Sequence, residues 1–214
     1  MQADPRQTHP VCAFVGGDAF LRAEALGKLL STLSEDADEL GPTRVDGTRA
    51  ALAEVLDEVR TVSLLGGRRI VVVEDADAFI KAHRSALEKY CSAPSETGTL
   101  ILLCNSMPKN TKLHRIIEAS GVVHHLQVHK GRAVLTWISE RGRTAYGKTV
   151  APAASASLRR HVGDSPGALD AELSKLAAFV GERSEILAKD VDVLTGQRRE
   201  ERVFAVTDAI GLKN

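Results

Sequence analysis

The residues from Thr61 to Asp75 set the architecture of this 214-residue chain, and they read Thr-Val-Ser-Leu-Leu-Gly-Gly-Arg-Arg-Ile-Val-Val-Val-Glu-Asp. The run from Ile70 to Val73 is apolar throughout and ends in two carboxylates, which is typical of a parallel strand buried on both faces. Before it, Leu64 and Leu65 stand beside two glycines, where a surface turn is normally polar. The acids favour a metal or phosphate site, whereas the leucines favour a partner protein.

Strand-like and helical patterns alternate around this segment over about residues 10–129. The strand-like runs are residues 11–15, 43–45, 69–73, 100–104 and 122–128. The helical patterns are residues 18–33, 46–60, 77–91 and 110–120. Strands that alternate with helices predict a mostly parallel five-stranded sheet covered on both faces.

The pattern changes after residue 129, where no further strand-like run is found. Short helical patterns follow at residues 133–146, 152–161, 166–179 and 186–195, separated by glycine, proline and serine. We therefore predict an α/β domain at 1–129, a small all-helical lid domain at 130–197, and the start of a truncated third domain at 198–214. An α/β domain followed by a helical lid is typical of AAA+ ATPases.

Composition limits the function classes further. Lysine plus arginine equals aspartate plus glutamate at 28 each, whereas a protein that binds nucleic acid by itself usually has a basic excess. Residues 1–10 lack the apolar segment of a signal peptide. No apolar run approaches the roughly 18 residues that span a bilayer. We expect a cytoplasmic protein, with Cys12 and Cys104 as buried reduced thiols.

The loop after the first strand argues against a nucleotide site. A phosphate loop needs Gly-x-x-x-x-Gly-Lys-Ser/Thr, but residues 16–22 read Gly-Gly-Asp-Ala-Phe-Leu-Arg, without the lysine or the hydroxyl. Asp18 would repel a phosphate and can instead cap the next helix. Without a nucleotide, Glu74 and Asp75 are interpreted as a solvated strand end, with Asp75 or Asp77 capping the helix that follows.

Histidines and basic residues provide two further candidate sites. The histidines are His124, His125 and His129, and the basic group after the fourth strand is Lys109, Lys112 and Arg115. The histidines lack carboxylate or cysteine support nearby, so we expect no metal site. The basic group opens a helix, where amides and side chains could together contact the phosphates of DNA. Solvated faces are the ordinary interpretation of this group and of Arg68-Arg69.

The order and spacing of several segments resemble the delta-subunit family of the bacterial DNA polymerase III clamp loader. These segments are Phe-Val-Gly-Gly-Asp-Ala-Phe-Leu at 14–21, Ser-Leu-Leu-Gly-Gly-Arg-Arg-Ile-Val-Val-Val at 63–73, the basic stretch 109–119, the helix pattern 163–176, and the closing segments 191–196 and 203–210. Together they cover the whole chain. The resemblance implies an AAA+ fold that binds no nucleotide itself, in agreement with the missing lysine.

In that family a Leu-Phe tip enters a hydrophobic pocket of the ring-shaped sliding clamp and opens it. The resemblance assigns clamp binding to Ser63, Leu64, Leu65 and Gly66, with leucine in place of the family's phenylalanine. It implies a replication subunit of the DNA polymerase III holoenzyme, a DNA-directed DNA polymerase and nucleotidyltransferase. The implied partners are the sliding clamp (the beta subunit), the gamma/tau and delta prime subunits, and primed DNA. Residues 198–214 would begin the collar domain that joins the subunits.

We therefore predict a non-catalytic clamp-loader subunit that has no catalytic residue, cofactor or metal of its own. Two alternatives stay open on the sequence. One is an active AAA+ ATPase with a degenerate nucleotide loop. The other is a standalone DNA-binding module that uses Lys109, Lys112 and Arg115.

Overall fold

The structure is a computed structural model, and it describes residues 9–34, 37–38, 40–63 and 66–194. Leu64, Leu65 and the predicted third domain at 198–214 lie outside the described residues. The chain separates into two compact units, with the division between Gln127 and Val128.

The first unit is a five-stranded sheet with helices on both faces. Its elements are β1 (Val11–Val15), α1 (Ala19–Leu33), β2 (Thr43–Asp46), α2 (Leu52–Arg60), β3 (Arg69–Glu74), α3 (Asp77–Ser92), β4 (Gly98–Cys104), α4 (Lys112–Ser120) and β5 (Val122–His125). The strand order is β2-β3-β4-β1-β5, and every pair is parallel. The predicted α/β fold class is confirmed.

Alternate residues of the central strands face opposite layers, which explains their continuous apolar runs. Val71 and Val73 of β3 pack with helices α2, α3 and α4 in one core. Ile70 and Val72 pack on the other face, against Leu26 and other residues of α1. The segment between Arg69 and Glu74 is therefore buried from both sides, as predicted.

Two element boundaries of the first unit differ from the sequence prediction by three residues or more. The helix predicted from residue 46 begins at Leu52, because Asp46 ends β2 and its side chain accepts hydrogen bonds from Thr48 and Arg49. The strand predicted to reach residue 128 ends at His125. Its neighbour β1 ends at Val15, so no strand residues remain beside positions 126–128 to continue the ladder.

The second unit is helical. It contains α5 (Arg132–Tyr146), β6 (Thr149–Val150), α6 (Pro152–Val162), α7 (Pro166–Val180), β7 (Glu185–Ile186) and helical residues 188–194. Strands β6 and β7 form a two-residue parallel ladder, which corrects the prediction of an all-helical unit. The helix predicted from residue 186 begins at 188, because Ile186 pairs with Val150 in this ladder. The helices bury their own apolar core, which includes Ile138, Leu158, Leu169 and Leu173. Within the described ranges, no helix is long and apolar enough to cross a bilayer.

Candidate functional site

The predicted binding residues fall in the connection between α2 and β3, residues 61–68, which we call the tip loop. Helix α2 ends where the hydroxyl of Thr61 donates to the carbonyl of Asp57 at 2.8 Å. Val62 follows and is 66% exposed. The amide of Gly66 then donates to the carbonyl of Ser63 at 3.4 Å. Leu64 and Leu65 stand between these two residues in the sequence, and their clamp-binding role stays a prediction.

Two consecutive glycines return the chain from the tip loop to β3. Gly66 and Gly67 have φ angles of +83° and +85°, which residues other than glycine rarely adopt. A Cβ at Gly67 would also lie 2.7 Å from the carbonyl oxygen of Ala37, whereas a Cβ at Gly66 would meet open space. Gly67 is therefore required both for its backbone angle and for the close approach of a neighbouring segment.

Arg68 attaches the end of the tip loop to the beginning of β4. Its guanidinium donates to Thr99 Oγ1 at 2.7 Å, to the carbonyl of Glu96 at 2.7 Å and to the carbonyl of Gly98 at 3.0 Å. Thr99 is itself buried. Three bonds in a planar fork hold a guanidinium in one orientation, so Arg68 is a structural anchor rather than a solvated cation.

Arg69 joins β3 to two other segments of the first unit. It forms ion pairs with Asp38 at 3.0 Å and with Glu58 of α2 at 2.7 Å. Glu58 also accepts a hydrogen bond from Thr43 at the start of β2. The interpretation of Arg68-Arg69 as a solvated basic face is therefore wrong, because both guanidinium groups are bonded to other segments of the first unit.

Asp38 is the buried carboxylate of this network. The amide of Leu40, the hydroxyl of Ser63 and the guanidinium of Arg69 all donate hydrogen bonds to it, and together they lower its pKa. The bond from the Leu40 amide, at 3.0 Å, contributes most. The loop residue Ser63 is thereby fixed to a segment 25 positions earlier in the chain.

Arg22 of α1 occupies the carboxyl edge of the sheet, where a nucleotide site would lie. Its guanidinium donates to the carbonyl of Gly16 at 2.5 Å and to Asn105 Oδ1 at 2.8 Å, and it lies 3.5 Å from Asp75 Oδ1. It therefore joins the ends of β1, β3 and β4. Counted from Gly16, Arg22 holds the position of the lysine in a phosphate loop. Asp18 caps α1 through the amide of Leu21, as predicted.

The acids after β3 do not cap the next helix, which corrects the sequence interpretation. Helix α3 begins after Ala76, without a side-chain cap. Asp75 turns to Arg22 instead, and Glu74 pairs with Arg44 at 3.0 Å. Asp77 accepts hydrogen bonds from the loop after β4, including one from the amide of Ser106.

Comparison with known proteins identifies the family. A family model described as DNA polymerase III, delta subunit, matches residues 13–127, which is more than half of the chain. The chain belongs to this family. The resemblance drawn from the sequence is therefore confirmed.

Three known proteins are similar to this chain. DNA polymerase III subunit delta of Bacillus subtilis is 22% identical over 215 residues, a match that covers 95% of this chain and 62% of that protein. The solved DNA clamp loader delta protein of B. subtilis is 20% identical, with a TM-score of 0.70 over 97% of this chain and 69% of that one. The Thermotoga maritima RuvB Holliday junction branch migration motor is 11% identical, with a TM-score of 0.52 over 88% of this chain and 61% of that one. These solved structures support the fold.

In this delta-family chain, the three basic residues assigned to possible DNA contact lie around the start of α4. Thr111 caps this nine-residue helix through the amide of His114. Lys109, Lys112 and Arg115 are all exposed, and Lys112 pairs with Glu88 of α3 at 3.3 Å. The fold thus brings these cations to one end of one helix, and their contact with DNA stays a prediction.

His124 and His125 contact different neighbours. His124 stacks on Phe14, with ring centroids 5.1 Å apart. His125 faces the other side of β5, where its Nε2 lies 3.0 Å from Nε2 of the buried His114. Burial and the nearby charge of Lys109 lower the pKa of His125. Among the described residues, no group of three histidines, cysteines or carboxylates is arranged to hold a metal ion.

The three cysteines are buried and unpaired, as predicted for Cys12 and Cys104. Burial raises the pKa of each thiol to about 12. A thiol with such a pKa is almost entirely protonated at neutral pH and is a poor nucleophile. These cysteines therefore offer no reactive thiolate.

Proposed function

We propose that this chain is the non-catalytic delta subunit of a bacterial clamp loader, which binds and opens the DNA polymerase sliding clamp during replication. Ser63, Leu64, Leu65 and Gly66 form the clamp-binding tip in this proposal. The chain spans 62% of the length of its B. subtilis relative, so the activity of the whole protein is part of the proposal.

The observation that carries the proposal is the way in which the tip loop is held. Arg68 and Arg69 fix its carboxyl end through five partner groups, which lie in β4 and the residues just before it, in α2, and at Asp38. A loop whose ends are held in place loses less conformational entropy when it binds a pocket than a loop with free ends, which favours a docking function.

The arrangement of residues at the carboxyl edge of the sheet favours the proposal that this subunit does not hydrolyse ATP. The connection between β1 and α1 is limited to residues 16–18, and Arg22 is bonded to the strand ends instead of being available to a phosphate. An AAA+ ATPase with a degenerate loop is therefore the weaker alternative. It predicts a rise in melting temperature with millimolar ATP and magnesium, whereas our proposal predicts none.

Clamp binding is tested by calorimetry with the cognate sliding clamp. We expect the Leu64→Ala/Leu65→Ala double variant to weaken binding at least about 100-fold, because central apolar anchors carry most of an interface's free energy. Phe179→Ser is the matched control, since Phe179 is an exposed apolar residue that belongs to the second unit, whereas the tip loop belongs to the first. Wild-type affinity in the double variant would exclude the proposed function.

Within a loader, we propose that this subunit works with gamma/tau and delta prime subunits and primed DNA. ATP-driven partners would present or hide the tip by shifting a conformational equilibrium. The exposed group of Lys109, Lys112 and Arg115 favours a contact with the DNA backbone.

DNA contact is tested by the salt dependence of binding to primed duplex. Loss of one phosphate contact reduces the slope of log K against log salt by about 0.9. We expect this change for Lys109→Glu and for Arg115→Glu, with exposed Lys81→Glu on α3 as the control. Equal slopes in all three variants would argue against DNA contact at this helix and against a standalone DNA-binding module that uses it.

A further inference from the structure

Leu40 is the most exposed large hydrophobic side chain in the part of the chain that the structure describes, at 76%. Val62 of the tip loop is second, at 66%. Single apolar residues on a surface are common and need no explanation. Leu40 differs because the fold attaches it to the same structural support as the tip loop.

The backbone on both sides of Leu40 is fixed by hydrogen bonds. Its own amide donates to Asp38 Oδ1 at 3.0 Å, and the amide of Gly41 donates to the carbonyl of Asp38 at 2.9 Å. Gly41 has a φ of +71°, an angle suited to glycine in a tight turn. Turns of this kind normally present polar residues, but this turn presents a leucine to solvent.

Asp38 also fastens this turn to the tip loop. Its carboxylate pairs with Arg69 at 3.0 Å and accepts a hydrogen bond from Ser63. Its amide donates to the carbonyl of Arg68 at 3.1 Å, beside a parallel bridge between Ala37 and Arg68. The turn at Leu40 is therefore bonded to Ser63 and to Arg68, which precede and follow the tip leucines in the sequence.

We propose that Leu40 is a second apolar contact to the sliding clamp, in addition to the tip leucines. This inference rests on the proposed function, since the clamp is the partner in both. A partner that receives the tip loop must approach the surface on which that loop is mounted, and Leu40 projects from this surface. Contacts around a central anchor exclude water from it and so strengthen binding.

The test is calorimetry of the full chain with the cognate clamp. We expect Leu40→Ser to weaken binding about tenfold, which is the effect of losing one well-packed apolar contact. Leu40→Met should bind like wild type, since it keeps a similar apolar volume. Phe179→Ser serves again as the exposed control. The melting temperature of Leu40→Ser should stay close to that of wild type, because the exposed side chain buries little in the free protein.

The outcomes separate this inference from the proposed function. If Leu40→Ser binds like wild type while Leu64→Ala/Leu65→Ala loses binding, Leu40 lies outside the interface and only this inference fails. If neither variant changes binding, the proposed function fails as well. If sedimentation shows that Leu40→Ser abolishes self-association without changing clamp affinity, the turn contacts a second copy of the chain, which also overturns the inference.

Discussion

Gly67 is the residue of the tip loop with the least freedom to change. We expect Gly67→Ala to lower the free energy of unfolding by about 2 kcal/mol or more, because a left-handed backbone angle costs an L-residue about 1–2 kcal/mol and the new methyl group would also collide with a carbonyl. Gly66→Ala is the matched control and should cost about 1 kcal/mol, since it has the same angle but open space. Chemical denaturation measures both. Equal losses would show that the approach of Ala37 does not matter.

Asp38 should make the stability of the first unit depend on acid. Its pKa in the folded protein is lowered by the Leu40 amide, the Ser63 hydroxyl and Arg69, below the unfolded value of about 3.9. The unfolded chain therefore binds a proton first as the pH falls. The stabilisation from Asp38 is present above about pH 4 and is lost as the pH falls through the lowered pKa.

Urea denaturation of wild type and Asp38→Asn between pH 6 and pH 3 measures this effect. We expect the wild type to be more stable at pH 6 and the difference to shrink below about pH 4. Hydrogen bonds from Thr48 and Arg49 lower the pKa of Asp46 to about 2. Asp46 is present in both proteins, so its contribution cancels in the difference between their stabilities. A difference that is constant with pH would contradict the assignment.

At the scale of secondary-structure elements, Arg22 joins α1 to three strand ends. We expect Arg22→Ala to lower the free energy of unfolding by about 1–3 kcal/mol, because it leaves the Gly16 carbonyl and the Asn105 side chain without this donor. Lys28→Ala on the same helix is the control, since its exposed pair with Glu24 is worth about 0.5 kcal/mol or less. Similar losses of unfolding free energy in the two variants would contradict the inference that Arg22 stabilises the carboxyl edge of the sheet.

At the scale of the whole molecule, the two units have separate cores. Leu173 is fully buried in the second core, so Leu173→Ala should cost about 2–5 kcal/mol. We expect clamp affinity to stay at the wild-type value well below the melting temperature, because the tip loop belongs to the first unit. Thermal unfolding and calorimetry on the same sample measure both quantities. A parallel loss of affinity would show that the second core supports the tip.

Local patterns in the chain were sufficient to predict most of the first unit. The apolar run at 70–73 predicted a strand buried on both faces, and this was confirmed because each of its residues meets one of two cores. The start of α2 and the end of β5 were predicted wrongly, the first because of a side-chain hydrogen bond and the second because of a neighbouring strand. Asp46 bonds to its own following turn, and β5 ends where its partner strand ends.

The candidate site was less predictable from sequence. The adjacent arginines at 68 and 69 indicated a solvated basic face, since charged pairs beside glycines usually face water. Arg68 bonds to Thr99 and Arg69 pairs with Asp38, and in both cases the partner is 31 positions away in the sequence. No sequence pattern links residues at that separation. Leu40 gave no signal either, because a single leucine after an acidic stretch is ordinary.

The sequence by itself determined the fold class, the family and the absence of a phosphate-loop lysine at Arg22, since each depends on residue type and on spacing along the chain. The tertiary structure alone decided that Arg69, Asp38 and Ser63 form one support and that Leu40 stands beside the tip loop. The physical reason is that periodicity reports which face of an element is buried. Which distant segments meet depends instead on the order of strands in the sheet and on how their connections pack.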